Sequence, residues 1–169
     1  MRSASFAFLH TKDPMLTSLE QSSFSTWLLS SNSIWAYPTV LTLHTFGMMV
    51  LVGAALMIDL RLLGFGRGIP LQSIDRLFRV MWVAFALNAV TGTMLFVADA
   101  SKRGPSLIFW TKLSFVAIGL VMAVMIRRRN FESDAEPVVI SGAAKRLAIV
   151  SLLAWSAAIT AGRLLAYVA

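Results

Sequence analysis

A single histidine, His44, stands inside the apolar stretch WAYPTVLTLHTFGMMVLVGAALMIDLRLLG, residues 35–64. An imidazole in lipid-compatible surroundings has two common uses: a neutral hydrogen-bond partner between helices, or a metal ligand. Three further apolar stretches carry polar groups at comparable depth: Asn88 and Thr91 in the second, Lys112 in the third and Arg163 in the fourth. An ionisable group buried in lipid is a functional-site signal by default, although Lys and Arg close to a span end can snorkel to water. Small residues accompany them, Gly47, Gly53, Ala54 and Ala55 beside His44 and Gly92 beside Thr91. They serve either close helix packing or room for a flat cofactor.

Haem b asks for an axial imidazole, a slot between helices and cations for its two propionates. His44 supplies the metal ligand, Lys112 and Arg163 the propionate partners, and Asn88 and Thr91 polar pocket residues. The second axial position is less well served. His10, the other histidine, lies in the N-terminal tail, and Met48 is one turn from His44 on the same helix face, so it does not easily reach the opposite side of the same iron. Met94 reads as core filler. A five-coordinate iron, a methionine ligand or His44 from another subunit would complete the centre.

Other chemistries are excluded by what the chain lacks. Without cysteine there are no disulfides, thiolate metal sites, iron–sulfur clusters or covalent c-type haem attachment. No Gly-rich phosphate loop, HExxH motif or GxSxG elbow occurs, and one membrane histidine without nearby carboxylates is a poor zinc site.

The elements that position these residues follow from composition. In 169 residues, 57% are hydrophobic and 14% charged, with a mean hydropathy of +0.74, which marks an integral membrane protein. Four apolar stretches, roughly 36–58, 79–98, 107–126 and 147–166, each reach the ~20 helical residues needed to cross the hydrocarbon core. Alternating ten-residue strands are absent from the pattern, so helices are expected rather than a β-barrel. The fold class is therefore all-α: a four-helix transmembrane bundle over 34–169, preceded by a tail over 1–33. In that tail Asp13 and Pro14 read as an N-cap and first helical residue, and Leu16, Leu19, Trp27 and Leu28 recur at helical spacing. They predict a short amphipathic interfacial helix. The start MRSASFAFLH has too short an apolar core for a secretory signal peptide, so the tail is expected to remain on the mature protein.

Charge sets the expected orientation. Arg61, Arg67, Arg76 and Arg79 separate the first two spans, and Arg127, Arg128, Arg129, Lys145 and Arg146 the last two. This side is predicted to be cytoplasmic and both termini to lie outside, which puts His44 about 12 Å below the outer boundary at 1.5 Å per residue. Trp35, Tyr37, Trp110 and Tyr167 fall at the outer span ends as an aromatic belt, and Trp82 marks the inner face. A net charge of +7 and a pI near 10.9 are explained by these loops and by anionic lipid, so no nucleic-acid partner is expected.

Three constellations read as structural. In DLRLLGFGRG, Asp59 is expected to pair with Arg61 or a loop cation, and Gly64 and Gly66 to end the helix. FVADASKRGP, with Asp99, Lys102 and Arg103, reads as a loop of topological value, and RRRNFESDAEPVVISGAAKR as a solvated connection.

Taken with NAVTGTMLFVADA, FWTKL and AGRLLAYVA, the His44 stretch resembles a bacterial family of small four-span inner-membrane proteins, a domain of unknown function, over roughly residues 25–169. The resemblance implies a recurrent fold and makes His44, Asp59, Arg61, Asn88, Lys112 and Arg163 family-type positions. A looser similarity is to small b-type cytochrome and copper-resistance membrane bundles. The expected function is a redox-associated subunit binding haem b in the outer leaflet of the bacterial inner membrane. The alternative is a non-catalytic accessory subunit of a larger membrane complex, or a homo-oligomer. A third reading is a permeation pathway lined by His44, Asn88, Thr91 and Thr93, which would need oligomerisation because four spans rarely enclose a pore.

Overall fold

Four long helices dominate the computed structural model, which describes residues 13–30, 35–66, 68, 70–130 and 141–168. In chain order the elements are α1 (Pro14–Glu20), α2 (Ser23–Ser30), α3 (Ala36–Leu63), α4 (Leu71–Ala98), α5 (Ala100–Arg103), α6 (Leu107–Asn130) and α7 (Gly142–Val168). Helices α3, α4, α6 and α7 are each long and apolar enough to cross a membrane. The protein is a multi-pass, all-α membrane bundle.

The long helices extend past the apolar stretches, chiefly at the end that carries the basic segments. Hydropathy marks the hydrocarbon thickness, whereas the helical backbone continues through the headgroup zone, where Asp75, Arg76 and Arg79 on α4, Arg127 on α6 and Lys145 on α7 are tolerated. Helix α3 stops at Gly64, whose φ of 102° is left-handed. There the Gly64 and Phe65 amides return to the Arg61 and Leu60 carbonyls at 3.2 and 3.0 Å, a glycine-capped terminus as expected.

The tail holds two short helices in place of one. Asp13 and Pro14 do start α1, but the Asp13 side chain makes no capping bond. Ser22 breaks the run because its hydroxyl accepts the Ser25 amide at 3.3 Å and starts a second helix. Leu16 docks α1 on α5 so closely that a Cβ on Gly104 would meet its Cδ1 at 2.5 Å. Leu28 of α2 is buried with Val40, Leu95 and Ala98.

The spans form an arc. Helix α4 packs on α3, α3 on α7, and α7 on α6. In the half toward the basic segments this arc is closed by a core of Leu51, Ile58, Leu62, Ile74, Phe78, Met81, Ile126 and Trp155. Its two end helices, α4 and α6, approach each other at both extremities. Arg127 Nη2 lies 3.6 Å from Asp75 Oδ1 at the basic end, and Phe96 stacks on Phe109 at 5.2 Å between ring centroids at the α5 end. Between these two contacts, in the half nearer α5, the helices part.

Candidate functional site

The parting of α4 and α6 leaves a cleft of about 740 Å³, lined by α3, α4, α6 and α7. That volume is within the roughly 300–1,000 Å³ of small-molecule and cofactor sites. Its walls are mostly apolar, including Leu41, Phe85, Phe96, Phe109 and Val116, and the polar side chains of His44, Asn88, Thr93, Lys112 and Arg103 line it as well.

His44 is held by α4. Its Nδ1 lies 2.9 Å from Thr91 Oγ1, and the Thr91 hydroxyl donates its own proton to the Leu87 carbonyl at 2.7 Å. An O···O distance that short requires a proton between the two oxygens, so Thr91 can only accept from the imidazole. His44 therefore carries its hydrogen on Nδ1, and the Asn88 carbonyl, which also faces the ring, favours the same tautomer. The consequence is a fixed ring whose second nitrogen, Nε2, keeps its lone pair. Gly92 makes the approach feasible: a Cβ there would stand 3.1 Å from His44 Cε1.

Asn88 is equally dependent on a glycine. Its Nδ2 donates to the Ala84 carbonyl at 3.1 Å, and a Cβ on Gly47 would press to 2.6 Å from that nitrogen. The Asn88 Oδ1 is buried without a hydrogen-bond partner, an acceptor beside His44 on the same wall.

The facing wall is cationic. The stem of Lys112 crosses Gly162 of α7, where a Cβ would find Cε at 3.5 Å and Nζ at 3.8 Å. Arg103 reaches the cleft from α5 and is steadied by Asp99, Nε to Oδ2 3.3 Å. Trp110 braces the turn by donating from Nε1 to the Gly104 carbonyl at 2.8 Å.

The structure thus brings His44, Asn88 and Lys112 to one cleft and sets Thr91, 3% exposed, directly behind His44. Arg163 is elsewhere: it is exposed and its guanidinium lies over the Tyr167 ring at 6.0 Å. One residue is 100° of helix, so Gly162 faces the cleft while Arg163 turns away from it. Arg103 occupies the cationic place, although its segment read as a plain loop. The signal was the Asp99 to Arg103 spacing of four, which fits one helical turn. Met48 lines the cleft one turn from His44, Met94 packs against the Leu28 cluster as core filler, and His10 lies outside the described residues.

Asp59 departs from expectation. It is 1% exposed and forms no ion pair among the described residues. On α3 it shares the buried stripe of Leu51, Ala55, Ile58 and Leu62, which turns it inward away from the loop cations.

Among the described residues no three His, Cys, Asp or Glu side chains converge as a metal site. A lone imidazole can hold a metal when the remaining ligands come with it, as the four porphyrin nitrogens do in haem. The cleft's donor set fits that demand: one oriented imidazole, two cations and an apolar, aromatic-lined slot.

Over residues 18–168 the chain matches the model of a family of unknown function, DUF6644. It belongs to this family. No curated protein and no solved structure matches it, so within this family the fold and site stand on the chain's own geometry.

Proposed function

We propose that this membrane protein is a redox-associated subunit that binds haem b in the α4–α6 cleft, with His44 Nε2 as the axial ligand. The observation that carries the reading is the Thr91 bond at 2.9 Å, which puts the imidazole proton on Nδ1 and leaves Nε2 to ligate. A second group that locks the ring and its tautomer is the usual companion of a metal-ligating histidine. Lys112 and Arg103 line the same cleft and would receive the two carboxylates of the ring, and Phe85, Phe96 and Phe109 would shield the rest from water. The bound group would supply one-electron chemistry; the chain orients it, excludes water and neutralises its carboxylates. With the basic segments taken as cytoplasmic, the cleft is in the outer leaflet of a bacterial inner membrane.

Titrating the detergent-purified protein with haemin and following the Soret band tests this reading. Saturation at one haem per chain, abolished in His44→Ala, is expected, and equal uptake by the two proteins overturns it.

A second reading, a membrane partner or second copy packed along α6, is favoured by one observation. Helix α6 keeps less of its span inside the bundle, 11% against 28–39% for the others. The natural chain has no cysteine, so single cysteines at the exposed Ile118 or Val121 would report a homo-oligomer by crosslinking in membranes. Absence of crosslinks removes the second-copy form of this reading.

A further inference from the structure

In the half of the bundle away from the cleft, a carboxyl is sealed between helices. Asp59 of α3 and Ser151 of α7 are each 1% exposed, and Asp59 shares the buried stripe of α3 with Leu51, Ala55, Ile58 and Leu62. The Ser151 side chain donates a hydrogen bond to the Asp59 carboxyl, while Oδ2 has no partner. One turn further along α7, Trp155 Nε1 is also buried without a partner. An orphaned buried polar atom forfeits the hydrogen bonds it had with water, at greater cost if it carries charge, and a span makes the charged case worse.

Each neighbouring element carries charge near this end: Arg61 on α3, Asp75, Arg76 and Arg79 on α4, Arg127 on α6, and Lys145 and Arg146 on α7. Asp75 is paired with Arg127, and none of these cations forms an ion pair with Asp59. A metal cation would need several oxygen ligands, and the described residues offer no such cluster. One small positive species matches a single free carboxylate oxygen flanked by a hydroxyl.

We infer that Asp59, held by Ser151, is a proton-binding site on the α3–α7 seam, reached from the basic end of the bundle. Asp59 is four residues from Leu63, the last residue of α3, so the aqueous phase at that end is about one helical turn away. His44 is roughly 22 Å distant along the same helix at 1.5 Å per residue, and the inference is independent of any cleft occupant. The Ser151 hydroxyl fixes Oδ1, which leaves Oδ2 to take and release the proton. Uptake removes the charge that the seam cannot solvate.

Infrared difference spectroscopy of the full chain in liposomes, across the pH range in which it stays folded, tests the site. A carboxylic C=O band is expected, lost in Asp59→Asn and moved to higher frequency in Ser151→Ala, because the hydrogen bond that softens the carbonyl is gone. Should Asp59→Asn fail to fold, [4-13C]aspartate labelling of the natural chain must shift the same band, and its displacement in labelled Ser151→Ala assigns it to Asp59, the aspartate that Ser151 holds. Absence of a carboxylic band sensitive to either Asp59 or Ser151 at every pH would overturn the inference.

Discussion

Thr91→Val separates a ligating His44 from a merely packed one. Valine keeps the shape of threonine and deletes the acceptor that lies 2.9 Å from Nδ1, so the imidazole N–H loses its partner in a buried setting. The tautomer lock and the ring orientation weaken together. Removing the companion of a metal-ligating histidine typically lowers metal affinity about 10- to 100-fold, or roughly 1.4–2.8 kcal/mol. The Asn88 carbonyl also faces the ring and retains part of the lock, which places the expected loss nearer tenfold. Thr91→Ser keeps the hydroxyl and should bind like the natural chain. The assay is equilibrium haemin titration in detergent, followed at the Soret band and paired with thermal unfolding of the haem-free proteins. Those proteins should differ by only about 0.5–1.5 kcal/mol, the net worth of one hydrogen bond. Equal affinity in Thr91→Val and the natural chain, or a Thr91→Ser variant as weak as Thr91→Val, would refute the reasoning.

The two wall glycines should respond differently to alanine. Gly47→Ala forces a Cβ to 2.6 Å from Asn88 Nδ2 and should destabilise by about 1–3 kcal/mol, whereas Gly162→Ala meets Lys112 at ordinary contact distance and should be neutral in thermal unfolding. Arg103→Gln should weaken haemin binding by up to about fivefold, the ~1 kcal/mol of a partly exposed ion pair. Arg163→Gln, at a side chain turned away from the cleft, should leave the titration curve where it is.

Much of the architecture was legible because a lipid environment leaves few options. Four apolar runs of sufficient length can only be helices unless they close as a barrel, and α3, α4, α6 and α7 begin or end where those runs do on the α5 side. The helices outrun the hydropathy signal on the basic side because charge is tolerated in the headgroup zone. His44, Asn88, Thr91 and Lys112 were legible as polar exceptions in apolar runs, and the structure gathers them at or behind one cleft. Arg163 shared that signature, but which face of α7 meets α6 depends on packing that no single helix encodes. Arg103 was missed for the converse reason: it lies outside a span and reaches the cleft because the chain turns at Asp99 into α5. Asp59 could have been placed, since Leu51, Ala55, Ile58 and Leu62 share one stripe with it at helical spacing. Proximity to Arg61 in sequence pointed to an ion pair, yet residues two apart on a helix do not face each other.

The most direct measurement is the absorption spectrum of the detergent-purified protein, oxidised and dithionite-reduced, beside that of His44→Ala. A Soret band with reduced α and β bands, absent from a folded His44→Ala protein, is the predicted result. A folded, colourless natural protein that takes up no haemin would contradict the account and leave His44 as a hydrogen-bonded tie between α3 and α4.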